Sequence, residues 1–125
     1  MGGTGVGNQS FGYIGGGTNP SDNNLSTVQR IDYINDTATA LSRGPLSAAR
    51  KYSTGMSNEN FGYFAGGVPS PQLVDRIDYS NDTATAVAKG PLASARYRLA
   101  ATGNASFGYF AGGYTPSTVS TVDRI

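Results

Sequence analysis

The stretch FGYFAGG at Phe61–Gly67 recurs at Phe107–Gly113 and, as FGYIGGG, at Phe11–Gly17. A longer phrase follows it: RIDYINDTATALSRGPLSAAR begins at Arg30, and RIDYSNDTATAVAKGPLASAR begins at Arg76, 46 residues later. A repeat of this length is typical of four-stranded propeller blades or of paired helices of the HEAT and armadillo type. The residues inside the repeat decide between the two.

Each repeat is rich in Thr, Tyr, Phe, Val, Gly and Asn-Asp, which favour strands and turns. No window of a dozen residues has a helical period of apolar residues without a Gly or Pro in it. The second repeat divides into four strands, RKYSTGM, NFGYFAGG, QLVDRIDYS and NDTATAVAKG. Alternation places Phe61, Tyr63 and Ala65 on one face and Phe64 on the other. The Asn81-Asp82 pair predicts a tight hairpin turn with positive φ.

These strands predict an all-β chain of four-stranded antiparallel blades. Blade 1 spans residues 1–43 and begins with a glycine-rich inner strand, blade 2 spans 44–89, and blade 3 spans 90–125. Each aromatic strand ends in a glycine pair, which suits a bulge or a close contact between blades. We assign these glycines a structural role: Gly16, Gly17, Gly66, Gly67, Gly112 and Gly113. A phosphate cradle is not expected, because no helix and no Lys-Ser/Thr pair follows.

The composition excludes several function classes. The chain has no Cys and no His, which removes the thiolate nucleophile, the commonest general base and the commonest transition-metal ligand. Nine basic and eight acidic side chains give a net charge of +1, without the basic cluster of a nucleic-acid-binding protein. No apolar run is long enough for a membrane span, and the first residues do not resemble a signal peptide. We expect no metal, because Asp75 and Asp123 have too few companions, and no cofactor.

The order of these features resembles the kelch repeat. An aromatic strand, a glycine pair, a variable gap, Asp-Tyr, a turn and a Leu-x-x-x-Arg exit appear as FGYFAGG, RIDYSND and LASAR at Leu92–Arg96. The preceding repeat has FGYIGGG, RIDYIND and LSAAR at Leu46–Arg50. The resemblance covers essentially the whole chain and implies a β-propeller. It fails at Ala40 and Ala86, where kelch repeats usually carry Trp, so Tyr and Phe must build more of the packing between blades.

The near-identity of the repeats is also similar to the tandem kelch-like arrays of marine-phage virion and tail-fibre proteins, which implies a virion location. At 46 residues per blade, the 125 residues supply about 2.7 blades, whereas propellers close with about four to eight. Uncovered blade faces would expose apolar surface. We therefore expect self-association into a ring, as a homodimer of about six blades or, second, as a homotrimer. The final VDRI predicts a third blade without its outer strand, which fits a fragment or an engineered chain.

Two sets of recurring charged residues are candidate site residues. Asp32 and Asp78, with an arginine two residues before each, either line a ligand cleft or form a structural ladder on a strand face. Arg50 and Arg96 either bind an anion or, as the kelch resemblance implies, bond backbone carbonyls between blades. We favour the structural interpretation for both sets.

The segment after each glycine pair is the one place where the repeat changes length. The distance from the aromatic Phe to the next RI arginine is 19, 15 and 17 positions in the three copies. Loops on a rigid scaffold often carry binding, and these three should project from one face of the ring. The candidate binding residues are Asn19, Asp22, Asn23, Asn24, Pro69, Pro71, Tyr114 and Thr115. Drift in an unconstrained loop would explain the variation equally well.

We therefore expect a non-catalytic structural or adhesive module that binds a protein or a glycan, if anything, through this loop face. The alternative is a sugar-active isomerase or mutarotase using a central channel, since kelch-like folds host such enzymes. The presumed inner strands GTGVG, YSTGM and LAATG contain no charged residue, which argues against a channel active site.

Overall fold

The computed structural model describes all residues, 1–125, and consists of eleven strands and two 3₁₀ turns. The strands are β1 (Thr4–Gly7), β2 (Phe11–Gly15), β3 (Val28–Asp32), β4 (Leu41–Arg43), β5 (Thr54–Ser57), β6 (Phe61–Ala65), β7 (Val74–Asp78), β8 (Val87–Ala88), β9 (Ala100–Gly103), β10 (Gly108–Ala111) and β11 (Val122–Arg124). The 3₁₀ turns are Tyr33–Asn35 and Tyr79–Asn81. No helix in the structure is long and apolar enough to cross a membrane.

The strands form three antiparallel sheets in which neighbours in sequence are neighbours in space. The first sheet has the order β1-β2-β3-β4, the second β5-β6-β7-β8, and the third β9-β10-β11. The prediction of an all-β chain with blade-like antiparallel sheets is confirmed. The first sheet lies within residues 1–43, the second within 44–89 and the third within 90–125.

The register of the strands is the same in all three sheets, because each aromatic strand alternates in the same way. Tyr13 pairs with Val6 and Arg30, Tyr63 with Met56 and Arg76, and Tyr109 with Thr102 and Arg124. Residues at equivalent positions of the repeat therefore occupy equivalent places in their sheets. A contact made by one repeat can be compared directly with its counterpart in the next.

The first strands of the sheets lie side by side, β1 against β5 and β5 against β9. The approach of β1 to β5 is close: a Cβ at Gly55 would stand 2.7 Å from the carbonyl oxygen of Gly5. The Thr4 hydroxyl donates to the carbonyl of Ser53 at 2.6 Å, and the Ser57 hydroxyl donates to that of Gly7 at 2.7 Å. The small residues of β1 and β5 thus let the first strands of neighbouring sheets approach each other closely.

Two apolar layers fill the spaces between the sheets. The layer between the first and second sheets consists of Val6, Tyr13, Val28, Leu46, Phe64, Ile77, Tyr79 and Ala86. The layer between the second and third sheets consists of Met56, Ala65, Val74, Leu92, Leu99 and Phe110, with Tyr63 packed against it. As the alternation predicts, Phe64 faces one layer while Tyr63 and Ala65 face the other.

The structure corrects the prediction for the turn that follows β7, the third strand of the second sheet. Asp78 accepts a hydrogen bond from the Ser80 amide at 2.9 Å and starts a 3₁₀ turn, so β7 and β8 are joined by a long connection rather than by a tight hairpin turn. Asp82 has φ −78°, and the positive φ expected for the Asn81-Asp82 turn is wrong. The turn occupies residues expected in the outer strand, and β8 is therefore only Val87–Ala88.

Candidate functional site

Arg50 is buried completely and bonds to the second sheet. Its Nη1 donates to the carbonyl of Leu73 at 2.9 Å, and its Nη2 donates to that of Phe64 at 2.9 Å and to Asp75 at 3.2 Å. Burial lowers the pKa of the Arg50 guanidinium, and the negative charge of Asp75 offsets only part of this decrease. The backbone amide of Arg50 donates to the opposite sheet, to the carbonyl of Leu25 in the loop of the first sheet at 3.1 Å. The residue therefore joins two sheets.

Arg96 makes the equivalent contacts in the third sheet. It is also buried completely and donates to the carbonyls of Thr121 and Phe110 at 2.6 and 3.2 Å, and to Asp123 at 2.5 Å. Its backbone amide donates to the carbonyl of Pro71 in the second sheet's loop at 2.9 Å. Both guanidinium groups are enclosed by protein acceptors, so neither presents a cation to an external anion.

Asp32 and Asp78 begin the two 3₁₀ turns and do not pair with the neighbouring arginines. The Ile34 amide donates to Asp32 at 3.2 Å, in the same way that Ser80 donates to Asp78. The hydroxyl and then the amide of Ser80 lower the pKa of the Asp78 carboxyl. The paired charges considered from the sequence as the lining of a cleft are therefore not formed.

The two arginines of these strands lie over phenylalanine rings instead. Arg30 and Arg76 are each 4.3 Å from the centroid of a ring on the adjacent strand, Phe11 and Phe61 respectively. The sheet register brings each pair together, since the arginine is two residues from the position opposite the phenylalanine. The cation–π contact fixes the guanidinium on the sheet surface.

Asp82 is the residue that sequence reasoning missed. It lies in the second sheet's turn, yet it accepts hydrogen bonds from the first sheet: from the Tyr13 hydroxyl at 2.7 Å and from Arg30 at 2.8 Å. Arg43 approaches it at 3.6 Å. Burial first, and then the bond to Asp82, raise the pKa of Tyr13. The one sequence signal for this role is the unchanged NDTATA in both repeats, and that pattern by itself predicts only a turn.

The variable segments lie at the same end of the strands in all three sheets, next to the first residues of β1, β5 and β9. The Gly17 amide donates to the carbonyl of Arg50 at 2.8 Å, and the Gly67 amide donates to that of Arg96 at 3.2 Å. Each loop therefore contacts the segment that leads into the next sheet. A Cβ at Gly66, whose φ is +67°, would overlap the carbonyl oxygen of Arg96. We call this side the loop edge.

The structure places the candidate residues of the first loop in different settings. Asn19 is half-buried and accepts from the amides of Ser21 and Asn23, both at 3.0 Å, so its side chain holds its own loop. Asp22 is exposed and pairs with Lys51 at 3.1 Å. Asn23 is exposed, and the Oδ1 atom of Asn24 is buried without a partner.

In the other two loops, Pro69 is exposed and Pro71 and Thr115 are half-buried. Tyr114 is exposed and belongs to an aromatic group that also contains Tyr52 and Tyr97. The Tyr97 ring is 5.4 Å from that of Tyr114 and 6.5 Å from that of Tyr52. Of this group, the sequence analysis identified only Tyr114.

Arg98 lies beside this group, 4.5 Å from the centroid of the Tyr52 ring. We refer to Tyr52, Tyr97, Arg98 and Tyr114 as the aromatic cluster. Tyrosine and arginine supply flat contact surface together with hydrogen-bond donors. The cluster can therefore stack against a sugar ring or a flat side chain.

The first strands of the sheets and the cleft opposite the loop edge carry few ionisable groups. No ionisable side chain lies on β1, β5 or β9, and no group of three Asp or Glu residues is placed to hold a metal. A cleft of about 380 Å³ opposite the loop edge contains Glu59 and Asp78.

The outer surfaces of the first and third sheets are apolar and uncovered. On the first sheet, Ile14 and Tyr33 are 53% and 48% exposed, whereas their counterparts Phe64 and Tyr79 are buried. These two side chains, with Ile31, line a cleft of about 480 Å³. We call this surface the leading face; it also includes Asp36.

On the third sheet, Tyr109 and Val122 are 37% and 60% exposed, whereas their counterparts Tyr13 and Val28 in the first sheet are buried. Arg124 is exposed beside them. We call this surface the trailing face. Between the first and second sheets, the equivalents of these two faces pack against each other. At the first and third sheets each face is exposed, because no neighbouring sheet covers it.

A comparison of the sequence with protein-family models and with curated proteins gives no match.

Proposed function

We propose that the chain is a non-catalytic, kelch-like β-propeller module that completes its ring by binding further copies of itself. In this proposal each sheet is a blade, and the first strands surround the central axis. The trailing face of one copy covers the leading face of the next. The third sheet supplies a three-stranded blade, so two copies bring six blades together.

The observation that carries the proposal is the pair of uncovered apolar faces. Within the chain, every equivalent surface is packed against a neighbouring sheet, as Phe64 and Tyr13 are. An exposed apolar patch of this kind marks an interaction site in most soluble proteins. Repeat units that bury their faces only against neighbours need such neighbours at both ends.

The supporting argument against catalysis is the chemistry of the enclosed regions. The inner strands carry no ionisable group, the two buried arginines bond to the protein itself, and His and Cys are absent. The remaining exposed chemistry is the aromatic cluster at the loop edge. We therefore propose an adhesive or structural role, with a glycan or a protein as the ligand of that edge and, by the resemblance to phage arrays, a virion as its location.

The native mass of the folded chain tests the assembly. The chain has a mass of 12.9 kDa, and light scattering after size exclusion should give twice that value for the preferred dimer. Three times that value would keep the propeller and enlarge the ring. A folded monomer at micromolar concentration would contradict the proposal.

A glycan array tests the adhesive role separately. A glycan that binds the wild type should bind Tyr114→Ala weakly, because this substitution removes an exposed ring of the cluster. Val87→Ala, which changes an exposed residue of β8, should bind like the wild type. Binding that is equal in all three proteins would exclude the aromatic cluster as the site, and an array without any hit would favour a purely structural role.

A further inference from the structure

One set of polar contacts between the first and second sheets joins the β2–β3 pair to the turn that follows β7. Tyr13 and Arg30 of the first sheet donate to Asp82 of the second at 2.7 and 2.8 Å. The Tyr13 ring stacks on that of Tyr79 at 4.9 Å with an interplanar angle of 9°. The donors come from adjacent strands of one sheet, and the acceptor and the second ring come from the turn of the next.

Both halves of this set are present again at the ends of the chain without a partner. Tyr33 and Asp36 occupy in the first sheet the positions of Tyr79 and Asp82, and both are exposed. Tyr109 and Arg124 occupy in the third sheet the positions of Tyr13 and Arg30, and both are exposed. The acceptor half thus lies on the leading face, and the donor half lies on the trailing face.

The acceptor half already has the conformation of its buried counterpart. Asp36 has φ −77° and ψ −4°, and Asp82 has φ −78° and ψ 0°. The Tyr33 hydroxyl lies 2.9 Å from where a Cβ at Gly12 would stand, and the Tyr79 hydroxyl lies 2.7 Å from the same point at Gly62. The Tyr33 ring and the Asp36 carboxylate therefore already have the placement of Tyr79 and Asp82, although no donor or second ring contacts them.

The donor half is placed in the same way. Tyr109 and Arg124 are directly opposite each other in the β10–β11 pair, as Tyr13 and Arg30 are in the β2–β3 pair. Arg124 lies 4.6 Å from the centroid of the Phe107 ring, close to the 4.3 Å of its counterpart. Groups held in their bound conformation lose little entropy when they bind.

We infer that a second copy of the chain docks head to tail through this contact set. Tyr109 and Arg124 of one copy donate to Asp36 of the next, and Tyr109 stacks on Tyr33. The inference rests on the proposed self-association and names the residues that make it specific. The opposite charges of Asp36 and Arg124 orient the contact, since two leading faces or two trailing faces would bring like charges together. Head-to-tail contacts of this type form closed rings when the rotation closes.

A charge exchange tests the inference on the full chain. Asp36→Arg and Arg124→Asp should each weaken association by about 100-fold or more, because each places like charges in the contact. An equal mixture of the two variants should associate again, since one interface is then native and the other has its charges exchanged. Glu59→Arg changes the net charge by the same amount as Asp36→Arg, at an exposed turn away from both faces, and should associate like the wild type.

The outcomes separate this inference from the proposed function. Monomeric single variants whose mixture recovers the wild-type mass support the contact, and the recovery shows that both variants are folded. Single variants that associate as tightly as the wild type overturn the contact and leave self-association standing through another surface. A wild-type chain that is itself a folded monomer overturns both.

Discussion

The ring of Tyr13 in the first sheet stacks on the ring of Tyr79 in the second, with the centroids 4.9 Å apart and the planes inclined by 9°. Tyr13 belongs to the first repeat and Tyr79 to the second, so the pair joins two sheets. Such a pair contributes about 0.5–1.5 kcal/mol beyond the area that it buries. Much of the specific packing of this chain is therefore made between repeats, and a single repeat would lack it.

Asp82→Ala should destabilise the chain by about 2–4 kcal/mol, because it leaves the buried Tyr13 hydroxyl and the half-buried Arg30 guanidinium without their acceptor. Urea unfolding followed by circular dichroism measures the change. The matched control is Asp36→Ala in dilute solution, which removes the equivalent but exposed carboxylate and should cost less than about 0.5 kcal/mol. Equal effects of the two substitutions would contradict the role of Asp82 as an acceptor between sheets.

Arg50→Met should cost about 3–5 kcal/mol, since it leaves the carboxylate of Asp75 buried without its ion-pair partner. Adding Asp75→Asn should recover at least about 1 kcal/mol of this loss, because the uncompensated charge is then removed. The measurement is again the free energy of unfolding. Arg98→Met changes an exposed arginine with a cation–π contact and should cost less than about 1 kcal/mol. An Arg50→Met variant as stable as the control variant would contradict the role of Arg50 in joining the two sheets.

Gly66→Ala should cost more than about 2 kcal/mol, because the added Cβ meets the carbonyl oxygen of Arg96 at a φ of +67°. Gly90→Ala is the control: nothing lies within 4 Å of the position of its Cβ, and its φ is not positive. This second substitution should change stability by less than about 0.5 kcal/mol. Thermal melts of the two variants side by side decide the matter, and a similar melting temperature for both would argue against the close contact.

The chain should lose stability in alkali above the ordinary tyrosine pKa of 10.0. Burial raises the pKa of Tyr79 to about 12, so the folded state favours the protonated ring. This contribution is complete below pH 10.0 and is lost as the pH rises towards about 12, because the unfolded chain ionises first. Tyr79→Phe should make the decline of unfolding free energy with pH less steep, as measured by urea titrations at successive pH values. An identical slope in the variant would show that this hydroxyl is not the source.

The sheets and their register follow from local features of the sequence. Alternation of FGYFA sets which side chain faces which layer, and the glycine pairs mark backbone that no other residue accommodates. These requirements act within a few residues, so one sequence is enough to recognise them. The prediction of three antiparallel sheets therefore succeeded, and the structure places the repeated positions Tyr13, Tyr63 and Tyr109 in the same register.

The partners of the charged groups did not follow from the sequence. Asp36 and Asp82 have the same neighbours in sequence and the same backbone conformation, but one is exposed and the other lies between sheets. What differs is whether another sheet is present beside the turn. For the same reason Arg30 pairs with a residue 52 positions away rather than with nearby Asp32.

The tight turn expected at Asn81-Asp82 is absent for a different reason. Asn-Asp suits several turn types, and the choice among them was made by the cap that precedes it, where Asp78 accepts from Ser80. The capping residues are visible in the sequence as Asp78-Tyr79-Ser80. They predict the 3₁₀ turn only if this cap is judged more favourable than a tight turn at the following Asn-Asp.

The double attachment of the segment Leu46–Arg50 has a geometric consequence. Its backbone is held by the loop of one sheet, at Leu25 and Ser26, and its terminal guanidinium is held by the strands of the next. A connector anchored on both sides leaves no hinge, so the angle between successive sheets is set by each repeat. Arg96 is attached in the same two ways, 46 residues later. Chains carrying more copies of this repeat should therefore hold each further pair of sheets at a similar angle.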